Sequence, residues 1–462
     1  MTRVRPAGEL KAEVHAPAVI VGAGACGLGA AIFLRDLACE TWVLERDAVA
    51  RGSTALSSGF IPAAATAAQR ALGIEDSIET FAQDIQAKAA GMAAAHLVKA
   101  YTQAIVPALD HLQHEHGFEW EILDGFLYPG HRRRRMHTLP QRQGQALIDR
   151  LLQRAQALEA TVVTNAQVVD LYLDEQQHVR GVGVLRPDQQ LETIGCDALL
   201  LACNGYGGDR DLVRQHLGAM QDALFAGHQG NDGSAVKWGQ AMGAAVADMG
   251  AYQGHGSWAV PQGILLTWAI MVEGGVQLNQ QGLRFHDETH GYSEAAAAVV
   301  AQTDALAWCV FDDPILKLAG SFPDFVSLQN TGGVVMAQDI DALANRIGCA
   351  SETLAHTLNW PLESSDTFGR KFKRRLQAPF YAVKVTGALF HTQGGLDIDA
   401  HCRVRRSDGT CLPNLWAAGG AARGVSGPEV SGYLSGNGLL SALAGAWIAA
   451  HEIAQYLGGQ HA

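Results

Sequence analysis

Three glycines, Gly22, Gly24 and Gly27, follow a short apolar run from Ala18 to Val21 and precede an alanine- and leucine-rich stretch. The first allows a tight turn, the second lets backbone approach a pyrophosphate, and the third lets helix and strand pack closely. The helix that follows offers free N–H groups and the positive end of its dipole to phosphate oxygens. A second apolar run, Thr41 to Leu44, ends on Glu45, whose carboxylate is placed to take the two hydroxyls of an adenosine ribose. Strand, turn, helix and acid in this order predict a dinucleotide site. The bland alternative is a glycine-rich structural turn.

Other stretches could meet a cofactor through backbone. Ala50 to Ala64 is rich in Gly and Ser, so it can supply N–H and hydroxyl donors to phosphate and to a bound cofactor. The β-type run Ala198 to Cys203 leads into Asn204-Gly205-Tyr206-Gly207-Gly208, and Leu415 to Ala418 leads into Gly419-Gly420. His391 lies in a glycine-rich turn, HTQGG. It reads as a turn histidine, with a proton relay or a hydrogen bond to the cofactor as its functional alternative. The segment Asp124 to His137 carries four consecutive arginines, Arg132 to Arg135, which read as a solvated charged face in preference to an anion site. Tyr128 beside them reads as a loop aromatic. The eight cysteines form no C-x-x-C pair and no ligand spacing with His, so no metal is expected; they read as buried thiols of a reducing compartment.

The elements that must hold these residues follow from pattern. The chain has 462 residues, 48% hydrophobic and 17% charged, enough for two or three domains. A net charge of −12 disfavours nucleic acid and anionic membrane as partners. The polar N-terminus shows no signal peptide, and its first fifteen or so residues read as a loose arm. The longest apolar stretch, Gly438 to Ala450, is too short to span a membrane and fits a buried helix, so a cytoplasmic protein is expected. Residues 77–116 read as helices, and Gln141 to Glu159 as an amphipathic helix. Thr161–Leu173 and Val179–Leu185 read as strands, and Gly230 to Met249 as a turn capping a helix. From Gly254 the texture changes. Gly274 to Ala298 reads as a hairpin and then a helix, Trp308–Phe311 as a strand, and the stretch to Arg375 as mostly helical. β character returns at Tyr381–Thr386 and Gly395–Ile398, before a C-terminal helix starting near Gly436. Residues 1–253 and 376–462 are thus expected to form one discontinuous domain, interrupted by an inserted domain at 254–375.

Over nearly its whole length the chain resembles the FAD-dependent fumarate reductase and 3-ketosteroid dehydrogenase superfamily. The matching blocks are VIVGAGACGLGAA, RGSTALSSG, ALLLACNGYGGD, GNDGSAVKWGQAMGA, GGVQLNQQGLRFHDE, YAVKVTGALFHTQGGLDID and LPNLWAAGGAARGVSG. The resemblance implies an α/β fold: a glutathione-reductase-like FAD-binding domain with an inserted α+β capping domain, and substrate held between cap and isoalloxazine. It implies FAD in contact with Gly22, Gly24, Ala25, Cys26, Gly27, Glu45 and Arg46 in the first turn. Ser53, Thr54, Ser57, Ser58 and Gly59 in the Gly/Ser loop are further contacts. Val168, Gly205, Asp232, Gly419, Gly420, Asn437 and Leu439 complete the implied set. The family's covalent flavin attachment needs a His in the loop Ser53–Ser58; this loop has none, which implies non-covalent FAD.

Three motif positions decide the branch. Tyr292 stands where fumarate reductases carry a proton-donating arginine after R-F-x-x-E, counted from Arg284-Phe285. Tyr433 stands where they carry a substrate-clamping arginine before G-G-N. Phe390 aligns with the catalytic His of their H-H-T-M-G-G block, and His391 with its neighbour. A fumarate dianion needs guanidinium forks to offset its desolvation. Arg370, Arg374 and Arg423 remain, none in a matching motif. Ketosteroid dehydrogenases carry a Tyr after R-F-x-x-E, and the subgroup desaturating the 4,5 bond of ring A carries G-Y-x-S-G, here Gly432-Tyr433-Leu434-Ser435-Gly436. That subgroup implies Tyr292, Tyr433 and Ser435 as catalytic candidates, with His391 beside them. The short chain and small cap also admit a smaller cyclic ketone.

Desaturation beside a carbonyl needs a polarised carbonyl oxygen, a base for the adjacent C–H and a hydride acceptor. A phenol donates a hydrogen bond without full charge, but with a pKa of about 10 it is a poor base unless a neighbour stabilises the phenolate or a hydroxyl relays the proton. Tyr433 is assigned to carbonyl polarisation, and Tyr292 with Ser435 to the proton; the two tyrosines can exchange roles. Glu288 reads as an ion-pair partner of an arginine. The alternatives are an ene-reductase of an unsaturated carboxylic acid, running the hydride step in reverse, and a flavin-binding scaffold without turnover. A small-molecule ketone or enoate and a separate electron acceptor are the expected partners.

Overall fold

The computed structural model describes residues 2–123, 127–362 and 364–460. Asp124, Gly125 and Phe126, the start of the arginine-bearing segment, lie outside them. The chain divides into two compact units. The larger comprises Met1–His216, Gly227–Tyr252 and His391–Ala462, and the smaller Leu217–Ala226 and Gln253–Phe390. Against the expected 254–375, the smaller unit runs on to Phe390 and takes in Leu217–Ala226, because Leu224 and Phe225 pair with Ala388 and Leu389.

The larger unit is built on a mixed sheet with a parallel centre. Thr161–Val163, Thr41–Leu44, Val14–Val21, Leu191–Leu201 and Cys411–Ala417 lie side by side, each pairing parallel with the next. Their apolar runs are continuous because both faces are covered: Val19, Ile20, Leu199, Leu200 and Leu415 are at most 1% exposed. The helix Ala25–Asp36 packs on the C-terminal helix Asn437–Gln460, with Phe33 edge-on to Trp447 at 4.9 Å. Gly29 permits this approach, since a Cβ there would lie 3.2 Å from Leu443 Cδ2.

Four of the loops that carry candidate contacts leave the carboxyl ends of these parallel strands. Gly22 follows Val14–Val21, Glu45 follows Thr41–Leu44, Asn204 follows Leu191–Leu201, and Gly419 follows Cys411–Ala417. That edge is where open α/β sheets bind ligands.

Several expectations need correction. The N-terminal arm is not loose: Arg3–Pro6 is a strand parallel to Gln167–Leu173, and Arg3 and Arg5 both reach the buried Asp170. Thr161–Leu173 is two strands, Thr161–Val163 and Gln167–Leu173. Gly274–Ala298 holds no hairpin of its own; Val276–Leu278 pairs with the distant Leu306–Asp312, and the helix is Tyr292–Val300. The cysteines are unpaired, but Cys39, Cys203, Cys349 and Cys411 are only partly buried.

The arginine run is not simply a solvated face. Arg132 and Arg133 are exposed, but the Arg135 side chain is wholly buried against Asp76 at 2.9 Å and Asp84 at 2.6 Å. Charge in the sequence does not distinguish a solvated guanidinium from one whose carboxylates come from residues far along the chain.

The smaller unit centres on the long strand Phe380–Thr392. Leu306–Asp312 and Val335–Ala337 pair antiparallel with it, and Tyr252–Ala259 lies alongside. Helices follow, among them Ile340–Ile347, capped by Asp339, whose side chain accepts from the Ala342 N–H. Among the described residues no helix is long and apolar enough to cross a membrane.

Candidate active site

The first glycine turn has the geometry its spacing predicts. Gly22 has φ +104°, and a Cβ there would lie 2.7 Å from the Ala202 carbonyl oxygen; a Cβ at Gly27 would lie 1.9 Å from that of Gly22. No other residue fits either place. Glu45 is buried, and its two carboxylate oxygens accept from the Ala23 N–H at 2.8 Å and the Asp47 N–H at 3.0 Å. A carboxylate has about four acceptor positions, so the fixed group keeps capacity for ribose hydroxyls.

The other candidate contacts gather around this turn. Ala25 N–H donates to Thr54 Oγ1 at 3.2 Å, and Ser53 Oγ accepts from Asn204 at 2.9 Å and Asn231 at 3.1 Å. Ser57 ties its own loop, donating to Thr54 O at 2.7 Å and accepting from Gly59 N–H at 3.1 Å; Ser58 is exposed beside it. A Cβ at Gly205 would lie 2.0 Å from Thr392 Oγ1, one at Gly420 2.1 Å from Asn204 Oδ1, and one at Gly419 3.3 Å from Cys26 Cβ. Cys26 is a packing thiol, its pKa pushed up to about 12 by burial. Arg46 and Asp232 pair with each other at 3.0 Å. Val168 is buried in its strand, two residues beyond Ala166, whose N–H donates to Glu45 O at 2.8 Å.

Asn437 and Leu439 lie in the first turn of the C-terminal helix. Asn437 Oδ1 and Ser441 Oγ, one turn on, are buried with no partner among the described residues. Orphaned polar atoms this deep mark a place for a polar ligand. With the glycine cradle and the acid they fit a flavin dinucleotide.

Three of the four catalytic candidates come together in the larger unit. His391 meets Tyr433 edge to face, ring centroids 6.0 Å apart. Ser435 follows in the same closely packed loop, where a Cβ at Gly432 would lie 1.9 Å from Ser426 O, and Gly436 has φ +90°. The loop is braced from behind: His131 Nε2 donates to the Ser435 carbonyl oxygen at 3.0 Å. Burial and the neighbouring Arg135 cation hold His131 neutral, its pKa down to about 4. Burial also lowers the pKa of His391, against a smaller opposite effect of the Thr392 carbonyl.

Tyr292 belongs to the smaller unit. It starts the helix Tyr292–Val300 after Gly291 at φ +139°, and its ring stacks on His255 at 4.7 Å and 12°. His255 is buried, its pKa brought down to about 3, and it also meets Trp268 at 5.6 Å. Ser257 Oγ lies 2.9 Å from His255 Nδ1. Phe390 completes an aromatic group with His255 and Trp258. The sequence reading missed His255 and Ser257. Their two-residue spacing on the strand Tyr252–Ala259 puts them on one face, which is the signal that could have found them.

The remaining arginines are committed elsewhere. Arg370 donates to Glu288 at 2.7 Å and to the carbonyls of Gly275 and Met271. Arg284 holds Glu288 at 2.6 Å and also pairs with Asp366. Burial alone would raise the Glu288 pKa, but these two cations outweigh it and hold the carboxyl below its usual range. Arg374 pairs with Asp312, and Arg423 with Asp248 at 2.8 Å and Asp397 at 3.0 Å. Away from this region, Asp36 accepts from His111 at 2.8 Å and His116 at 2.7 Å. Arg154 faces His116 Nδ1 at 3.1 Å, where a metal-bound imidazole would carry its own N–H, so the group reads as a hydrogen-bonded ion cluster.

Comparison with known proteins agrees with this geometry. The family model described as "FAD binding domain" matches residues 18–439. A fumarate reductase (cytochrome) of Shewanella frigidimarina is 26% identical over 447 residues, covering 95% of this chain and 77% of that protein. In structure the chain is similar to the open conformation of a flavocytochrome c3 fumarate reductase, with TM-score 0.83, 24% identity, and coverage of 97% of this chain and 79% of that one. It is also similar to the 3-ketosteroid-delta4-(5alpha)-dehydrogenase of Rhodococcus jostii RHA1 in complex with 4-androstene-3,17-dione, with TM-score 0.79, 22% identity, and coverage of 98% and 99%. The chain therefore belongs to the FAD-binding family and is an FAD-dependent oxidoreductase.

Proposed function

We propose that the enzyme acts on CH–CH groups, introducing a C=C bond next to the carbonyl of a 3-ketosteroid or smaller cyclic ketone. FAD, bound non-covalently by the glycine turn, Glu45 and the Ser53–Gly59 loop, supplies the hydride acceptor, N5. Tyr433 donates a hydrogen bond to the ketone oxygen, which acidifies the neighbouring C–H. Tyr292 takes that proton as its phenolate, its own phenolic proton having first left for solvent, with Ser435 as the relaying hydroxyl. The substrate thus loses a proton and a hydride. Within the smaller unit, which takes in the expected cap at 254–375, Tyr292 stacks on His255, and Trp258 and Phe390 extend that aromatic surface, which suits a flat apolar body. The unpaired thiols support a reducing, cytoplasmic location.

The observation that carries this reading is the commitment of the arginines. Arg370, Arg374 and Arg423 are each bound to carboxylates, so none offers a free fork to a dicarboxylate, and phenols stand at the two motif positions. Anaerobic mixing of the yellow protein with a panel of cyclic ketones and steroids tests it: at least one ketone should bleach the flavin. If no ketone does, and the reduced protein is re-oxidised by fumarate or another enoate, the reading is wrong.

A second reading, reduction of an unsaturated carboxylic acid, is favoured by the fumarate reductase relative, which matches 95% of this chain. The same experiment separates the two.

A further inference from the structure

Behind His391 the larger unit holds a chain of polar side chains. Asn437 Nδ2 donates to Ser426 Oγ at 3.0 Å, Ser426 Oγ donates to Gln393 Oε1 at 2.9 Å, and Gln393 Nε2 donates to His391 Nδ1 at 3.1 Å. Asn437 is 0% exposed, Ser426 1% and Gln393 5%, so bulk water offers these groups no alternative partners.

The direction of each link constrains the next. An amide nitrogen only donates and an amide oxygen only accepts, while a serine hydroxyl has one proton to give. Asn437 donates to Ser426, so the Ser426 proton goes to Gln393 Oε1. Gln393 Nε2 is then left facing the ring, and Nδ1 must present a lone pair. The imidazole proton therefore sits on Nε2. Reversing the whole chain would put a proton on Nδ1, where the Thr392 carbonyl at 3.2 Å could also accept it. In the structure the chain runs the other way, and the Asn437 oxygen, not its amide nitrogen, is the atom left for a ligand.

We propose that Gln393, Ser426 and Asn437 are positioning residues that fix His391 as a neutral N–H donor through Nε2, aimed at a carbonyl oxygen of substrate or flavin. The Nε2 edge lies over Gly438, where a Cβ would come within 3.2 Å of it, so glycine keeps that edge uncovered. Two carboxamides interrupt the chain, so it orients the ring but does not conduct protons. The role in turnover rests on the ketone dehydrogenase reading above; the tautomer does not.

Nitrogen NMR of histidine-labelled protein reads the tautomer directly. The His391 signals are those lost in His391→Asn. In FAD-loaded protein Nε2 should be pyrrole-like and Nδ1 pyridine-like; the opposite pattern overturns the proposal whatever the substrate proves to be. Gln393→Glu, which places an acceptor on Nδ1, should invert the pattern. Gln393→Met, which cannot donate, should leave a mixture and slow flavin reduction by a ketone roughly 10- to 100-fold. Either variant alone suffices if the other does not fold, and a wild-type pattern retained in both overturns the relay. The Nε2–H resonance should move on loading apoprotein with FAD if the acceptor is the flavin, or on adding cyclohexenone to the oxidised holoenzyme if it is the substrate. No movement in either step removes the donor role. Failure of every ketone to bleach the flavin would sink the functional reading and leave the tautomer result standing.

Discussion

The imidazole of His255 lies flat on the phenol of Tyr292, ring centroids 4.7 Å apart and planes inclined by 12°. A stacked aromatic pair contributes about 0.5–1.5 kcal/mol beyond its buried area. Because burial keeps His255 uncharged, it orients the phenol without adding a full charge. His255→Leu should therefore lower the rate of flavin reduction at saturating ketone by roughly 10- to 100-fold, the cost of a misplaced reacting group. FAD content per chain should be unchanged. An unaltered rate would reduce the stack to packing.

Tyr433→Phe removes one hydroxyl and little volume. Loss of an oxyanion-type donor slows the chemical step by about 10²-fold or more. Anaerobic stopped-flow of the variant with the best ketone checks this, and an undiminished rate would take Tyr433 out of the mechanism.

Arg370→Gln probes whether the guanidinium is structural. It leaves Glu288, 0% exposed, with Arg284 as its one cationic partner among the described residues. Breaking a buried pair by removing one member costs about 3–5 kcal/mol, so denaturant unfolding should shift strongly. Intact stability with lost substrate binding would return Arg370 to the role of a clamp.

Gly27→Ala forces a methyl to within 1.9 Å of the Gly22 carbonyl oxygen. The turn must open to accept it, which removes the close approach a pyrophosphate requires. The variant should purify colourless, read as the loss of flavin absorbance; a yellow product with normal FAD content would refute this role of the turn.

His131 and His137 are both buried, with pKa values brought down to about 4, mainly by burial. Unfolded, each titrates near 6.5. Between those values the unfolded chain binds protons that the folded chain does not, so stability rises with pH. Their contribution is complete above about pH 6.5 and is lost as pH falls toward 4, at about 1.4 kcal/mol per pH unit for each histidine. Urea midpoints at pH 7.5 should exceed those at pH 5. Equal midpoints would show that neither ring is held neutral.

The nucleotide cradle was legible because its physics is local. Gly22, Gly27 and Glu45 are read from spacing along one strand, turn and helix, and the structure puts Gly22 and Glu45 at the carboxyl ends of parallel strands and Gly27 in the first turn of the helix between them. The loop Gly432–Gly436 was legible as a motif. What escaped notice depends on distant partners. His255 acquires meaning only against Tyr292, and Arg135 only against Asp76 and Asp84. Gln393 looks like a loop amide until Ser426 and Asn437 are seen behind it. The strand Arg3–Pro6 was missed for the same reason, since its partner lies beyond residue 166.

The brace of His131 on the Ser435 carbonyl has a consequence for heat inactivation. A chemically uncharged loop inherits its shape from an ion cluster, Arg135 with Asp76 and Asp84, that never meets a reactant. Warming that loosens those carboxylates would spoil alignment before it releases the cofactor, so the protein would fade as a catalyst while still coloured.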